Sequence, residues 1–117
     1  MKDAEAWNEG RALFEAGRYW DAHEAWEPAW LAASGVQRHF LAGAILLAAA
    51  LHKAREGGSP RGGRRNYAKA LRHLAVVPDR YGGVAVRTLE ARVHAALRDP
   101  SQQPTIPPTD EDEGAGA

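Results

Sequence analysis

The sequence predicts an all-α fold, a compact five-helix bundle built around one central hydrophobic helix. Its 117 residues suit one domain of typical size. It contains 24 alanines but few valines and isoleucines, a composition that favours helix over sheet. Apolar residues recur at helical spacing in five segments, and no segment shows the alternation of a strand. The absence of cysteine excludes disulfides and thiolate chemistry.

The first two predicted helices span residues 3–16 and 19–33. Gly17 is well placed to end the first helix, because glycine readily adopts the left-handed conformation that follows a helix. Pro28 lies inside the second helix, where it removes one backbone hydrogen bond and should bend the axis. The Ser34-Gly35 pair is expected to end this helix and to start a hairpin with the next.

The third predicted helix, 36–56, is apolar on nearly every face over residues 40–51, which places it at the centre of the bundle. That apolar run of 12 residues is too short to span a bilayer. Residues 57–63 are rich in glycine and predict a loop. Two further helices are predicted over 64–76 and 84–98.

The zero net charge conceals a segregation of charge along the chain. Residues 53–80 carry eight basic and two acidic side chains, whereas residues 99–117 carry no basic and five acidic ones. We interpret 1–98 as a single helical domain and 99–117, with its prolines and acids, as a disordered tail. The N-terminus lacks a signal pattern, so we expect a cytoplasmic protein with no membrane partner.

A candidate polar site lies on the second helix. His23 and Glu27 are four residues apart and therefore share one helix face, the spacing that lets two ligands converge on a metal ion. Glu24 points about 100° away and corresponds to the general base of an H-E-x-x-H motif, which this segment matches only in part. His52 is the candidate third ligand, although the hairpin register places it about 9 Å beyond the level of His23.

A structural interpretation competes with the metal site. Interior polar groups must be paired, so Glu27 could pair with Arg38, and His23 with a backbone carbonyl or Tyr19. The same hairpin register places His23 level with Leu46. The two interpretations stay open at this point.

The basic stretch suggests an anion site, since helix N-termini that follow glycine-rich loops can hold anions. The candidate anion-binding side chains are Arg38, Arg61, Arg64 and Arg65. A solvated basic face is the alternative, because neither a P-loop spacing nor a known nucleic-acid motif is present. Nucleic acid is therefore not expected as a partner. The histidines on polar faces, His39, His73 and His94, are expected to be solvated.

The chain resembles the domain of unknown function 309 family over residues 6–74. The most specific part of the resemblance is the segment G-R-Y-W-D-A-H-E-A-W-E-P-A-W, residues 17–30. Further matching positions are Leu13-Phe14, Gly35, Arg38, Phe40-Leu41, Gly43, Ile45, Ala48-Ala49 and His52. The resemblance implies a compact helical fold. It also implies a metal-dependent hydrolase and nominates His23, Glu24, Glu27 and His52. Leu46 departs from the glutamine that is frequent at its position in the family.

Two functional hypotheses follow, and whether the chain is an enzyme stays open. In the first, it is a metal-dependent hydrolase: His23, Glu27 and His52 hold a divalent zinc or manganese ion, and Glu24 or Glu27 activates water. The basic stretch favours an anionic substrate. In the second, the chain is a non-catalytic interaction module, similar to a tetratricopeptide helical hairpin, that binds a protein partner or a second copy of itself. The candidate contact residues are Trp7, Trp20 and Trp30.

Overall fold

The computed structural model describes residues 4–109 and confirms the all-α prediction. The helices of this part of the chain are α1 (Ala4–Glu15), α2 (Tyr19–Ala32), α3 (Gly35–Arg55), α4 (Pro60–Leu74) and α5 (Val86–Arg98). An antiparallel hairpin of two short strands, β1 (Arg80–Tyr81) and β2 (Val84–Ala85), precedes α5 and was not predicted. Its turn residues Gly82 and Gly83 have φ angles of 57° and 78°, the positive values that a two-residue hairpin turn requires.

The prediction that the third helix is central is confirmed. α3 packs against α2, α4 and α5. Its residues 40–45 form a continuous buried run, so this part of the helix has neighbours on all sides. One hydrophobic cluster joins side chains of all five helices. Within residues 4–109, no helix combines the length and the apolarity needed to cross a membrane.

α4 begins four residues earlier than predicted and takes in residues 60–63 of the expected glycine-rich loop. Pro60 occupies the first helical turn, where its missing N–H costs nothing, and the Ser59 hydroxyl accepts a hydrogen bond from the Gly62 N–H at 3.0 Å. Gly63 lies against α3, and a Cβ atom at this position would stand 2.9 Å from the Ala50 carbonyl oxygen. Close helix packing, and not a turn, is therefore the reason for this glycine.

Residues 99–109 differ from the prediction of a disordered segment beginning at residue 99. Ile106 is buried, and its N–H donates to the Glu15 carboxylate at 2.8 Å. Arg11 donates to the Ile106 carbonyl at 2.8 Å, and the Ala85 N–H donates to the Pro107 carbonyl at 3.0 Å. The segment thus packs across α1 and the hairpin. The rest of the predicted tail, 110–117, lies outside the described residues.

Candidate functional site

His23 and Glu27 share one face of α2, as their spacing predicts. The His23 Nε2 atom lies 3.8 Å from the Glu27 Oε2 atom, and the two side chains are 21% and 46% exposed. α2 continues through Pro28 to Ala32, so the proline does not separate the pair. The other imidazole nitrogen of His23, Nδ1, is buried and has no hydrogen-bond partner. The pair therefore has one nitrogen near a carboxylate and one nitrogen unsatisfied.

The indole of Trp20 contacts two imidazoles. It stacks on His23 with ring centroids 4.7 Å apart, and it lies 5.2 Å from the ring of His52. The Nδ1 atom of His52 is 3.2 Å from the Glu56 carboxylate, which makes Glu56 its acidic neighbour in place of Glu27. Among residues 4–109, no three His, Asp or Glu side chains are grouped so that they could hold a metal ion. The structure thus does not bring His23, Glu27 and His52 together as one ligand set.

The hairpin register predicts that His23 and Leu46 lie near each other. His23 and Leu46 line the same cavity of about 220 Å³. The cavity is lined by His23, Trp30, Ala42, Ile45, Leu46 and His73. The lining residues that α3 contributes are all apolar, so this helix offers His23 no polar side chain in the cavity.

Arg38 closes the C-terminal end of α2 and does not pair with Glu27. Its Nη1 atom donates to the carbonyls of Trp30 and Ala33, both at 3.3 Å. The guanidinium lies 4.7 Å from the centroid of the Trp30 ring, within the range of a cation–π contact. Because the last carbonyls of a helix lack helical donors, this arginine supplies a cap and a favourable charge together.

Of the predicted anion-binding residues on α4, the structure places Arg64 in a concave surface. This cavity of about 490 Å³ is lined by Arg64, Tyr67, His94, Leu97 and Arg98, whereas Arg61 and Arg65 are not among its lining residues. The Tyr67 hydroxyl donates to the Glu90 carbonyl at 3.0 Å. Burial, and secondly the charge of Glu90, raise the pKa of Tyr67. Arg98 and His94 were not predicted to lie beside Arg64, since α5 meets α4 only in the folded chain.

The solvent side of α2 carries two large apolar residues at its ends. Trp20 is 47% exposed and Leu31 is 59% exposed. Glu24 and Glu27 lie between them at helical spacing, and a shallow concavity of about 250 Å³ includes both carboxylates and Leu31. We call these four residues the outer α2 face. Of the predicted contact tryptophans, Trp7 is buried in the core and Trp30 lies under Arg38.

One pair of histidines expected to be solvated is in contact. The Nδ1 atoms of His39 on α3 and His73 on α4 lie 3.1 Å apart. Burial, followed by the charge of His39, lowers the pKa of His73. The residues are 34 positions apart, so no local pattern in the sequence indicates their contact.

Comparison with known proteins decides the family. The family model described as a domain of unknown function, DUF309, matches residues 7–66, more than half of the chain. The chain belongs to the DUF309 family. This family member is also similar to a conserved hypothetical protein from Thermus thermophilus of known crystal structure. The two are 43% identical with a TM-score of 0.71, over 79% of this chain and 95% of that chain. No curated protein matches the sequence.

Proposed function

We propose that this DUF309 protein is a non-catalytic interaction module whose outer α2 face binds a basic, amphipathic segment of a partner protein. The observation that carries the proposal is the pair of apolar side chains, Trp20 and Leu31, exposed by 47% and 59% on one helix face with two carboxylates between them. Tryptophan is among the residues that contribute most to binding at protein interfaces.

The dimensions of the outer α2 face suit a helical partner. Trp20 and Leu31 are eleven residues apart, which corresponds to about 16 Å along a helix axis. A partner helix of three turns spans the same length. Glu24 and Glu27 would face its middle turn, where lysine or arginine side chains give complementary charge, faster association and selection against acidic partners.

The ligand geometry supports binding over hydrolysis. Catalytic zinc sites hold the ion with three protein ligands and leave a fourth position for water. In the described part of the chain, His23 and Glu27 supply two such groups, and the Trp20 ring stacks over the imidazole. His52 has Glu56, and not Glu27, as its acidic neighbour, at 3.2 Å.

Metal-dependent hydrolysis is the second candidate function. It is favoured by the 3.8 Å separation of the His23 Nε2 atom and the Glu27 carboxylate. In this proposal the two side chains hold zinc or manganese, and Glu24 activates water. His52 would have to turn away from Glu56 to complete the ligand set. It predicts one metal ion per chain after purification without chelator. Elemental analysis of His23→Ala should then show that this ion is lost.

A peptide-binding experiment tests the interaction module. The probe is a synthetic helix of about 14 residues with leucines spaced to meet Trp20 and Leu31 and lysines between them. Fluorescence anisotropy should show binding that weakens with salt, because the carboxylates contribute by charge. Trp20→Ala and the charge reversal Glu24→Lys should each reduce affinity at least about tenfold, which corresponds to about 1.4 kcal/mol of binding free energy.

The matched control for the outer α2 face is Val76→Ala. Val76 is 57% exposed but follows α4, outside that face, so peptide affinity should not change. Light scattering provides the second readout. If wild type is a dimer and Trp20→Ala is a monomer, the outer α2 face binds a second copy of the chain and not a basic partner. Equal peptide affinity of wild type, Trp20→Ala and Glu24→Lys would contradict the proposal.

A further inference from the structure

We propose that His39 and His73 form a binding site for a late first-row divalent cation, Zn²⁺, Ni²⁺ or Cu²⁺, which bridges α3 and α4. The inference stands on one contact: two imidazole nitrogens from different helices lie 3.1 Å apart, although their residues are 34 positions apart in the sequence. Neither residue belongs to the outer α2 face or to the His23 and Glu27 pair.

The nitrogen separation fits two ligands of one metal ion. Metal–imidazole bonds are about 2.0–2.1 Å long, so nitrogens 3.1 Å apart subtend about 100° at a shared ion. This angle lies between those of square-planar and tetrahedral coordination. The ion would lie beside the line that joins the two nitrogens.

The backbones of both histidines are fixed by the core. His39 is followed by buried Phe40, and His73 is followed by buried Leu74. α3 and α4 also approach closely here, because a Cβ atom at Gly43 would lie 2.5 Å from the Leu74 side chain. A site built on two packed helices holds its ligands more accurately than one built on loops.

The surroundings leave coordination positions for water. His39 is exposed, which gives an ion a path from solvent. His73 also lines the cavity of about 220 Å³ that contains His23 and Trp30. Imidazole ligands suit zinc, nickel and copper, whereas magnesium and calcium prefer oxygen. Water or a donor atom of a bound molecule would fill the remaining positions.

A simpler explanation of the contact is a single hydrogen bond between the rings. One tautomer of histidine donates from Nδ1 and the other accepts there, which also accounts for a separation of 3.1 Å. The two explanations make different predictions. A hydrogen bond alone gives no metal affinity beyond that of separate surface histidines, whereas a shared site binds one ion through both rings.

Titration of the chelator-treated full chain with Zn²⁺, Ni²⁺ or Cu²⁺ alone tests the site. Calorimetry should show one ion per chain. His39→Gln and His73→Gln should each lower the affinity at least about tenfold, because the second imidazole acts at high effective concentration. The control is His94→Gln on α5, an exposed histidine outside the pair, which should bind as wild type does.

Two further measurements separate the site from its alternatives. Nitrogen NMR of the histidine rings should show zinc-dependent shifts at His39 and His73, a readout that does not depend on a variant. Circular dichroism melts without metal should show that the variants remain folded. The proposal is overturned if wild type binds no more tightly than the double variant His39→Gln/His73→Gln. It is also overturned if His23→Gln abolishes binding while the single variants at 39 and 73 retain it.

Discussion

Replacing Gly10 by alanine should destabilise the fold, although alanine favours helix. Gly10 lies on α1 where it crosses α2, and a Cβ atom there would stand 2.1 Å from Nε1 of Trp26. Trp26 is 1% exposed, stacks on Trp7 with ring centroids 5.0 Å apart, and donates its indole N–H to the Trp7 carbonyl at 3.2 Å. The added methyl group would force the helices apart or displace this ring.

The expected change in the free energy of unfolding is the sum of two destabilising contributions and one stabilising contribution. Inserting a methyl group into a packed core costs about 1–3 kcal/mol. Losing the buried indole hydrogen bond costs about 1 kcal/mol more. Replacing a helical glycine by alanine returns about 1 kcal/mol through helix propensity. The net loss in the free energy of unfolding is about 2 kcal/mol, which corresponds to roughly 6–10 °C in Tm for a domain of this size.

Urea unfolding followed by far-UV circular dichroism measures this loss, and tryptophan fluorescence reports the ring environment. The matched control is Ala12→Gly, at an exposed position of the same helix, which should cost about 1 kcal/mol through propensity alone. The alanine methyl group thus stabilises the helix at position 12 and destabilises the fold at position 10. A Gly10→Ala variant as stable as wild type would refute the packing argument.

Three further variants test other parts of the fold by urea unfolding. Ile106→Ala should cost about 2–3 kcal/mol, because Ile106 is 2% exposed; a loss within error would mean that residues 99–109 contribute no packing. Tyr67→Phe should cost about 1 kcal/mol at neutral pH. Because the pKa of Tyr67 is raised in the folded state, wild-type stability should fall as pH rises beyond about 10, and a Tyr67→Phe profile equally steep would contradict this. Arg38→Gln should cost about 1 kcal/mol by uncapping α2, whereas the exposed Arg18→Gln should cost less.

The helices could be predicted because their signals are local. Apolar spacing and the breaks around Gly17 and Ser34 mark α1 to α3 to within about one residue. The start of α4 was missed because the glycines of 57–63 outweighed a local start signal, the Ser59 cap followed by Pro60 in the first helical turn. The packing of Gly63 against α3 is a tertiary contact that composition does not reveal.

Residues 99–109 show the same limit at the other end of the chain. Ile106 is a single apolar residue among prolines and polar residues, so composition predicts no core for it. Its backbone is hydrogen-bonded by the side chains of Arg11 and Glu15, which lie more than 90 positions earlier in the sequence. Only the folded α1 brings these two side chains together with the carbonyl and N–H groups of Ile106.

The candidate sites also differ in whether local sequence patterns predict them. The proximity of His23 and Glu27 follows from helix geometry, and the position of Leu46 beside His23 follows from a hairpin with a short turn. The contact of His39 with His73 depends on the rotation and register of α3 against α4. These are set by side chains distributed over both helices, and no spacing in the sequence encodes them.

Glu27 allows the two candidate functions to be compared directly, because both require its carboxylate. An exposed ion pair at 3.8 Å contributes little, so Glu27 is available to a cation from a partner or to a metal ion. If His23 and Glu27 held zinc, the ion would neutralise the outer α2 face, and zinc should then weaken binding of the lysine-bearing peptide. If zinc binds at His39 and His73 instead, peptide affinity should stay within about twofold of the metal-free value. His39→Gln should then weaken zinc binding at least about tenfold and leave peptide affinity unchanged. Competition between zinc and peptide that survives His39→Gln would show that His23 and Glu27 also bind the ion, as the hydrolase proposal requires.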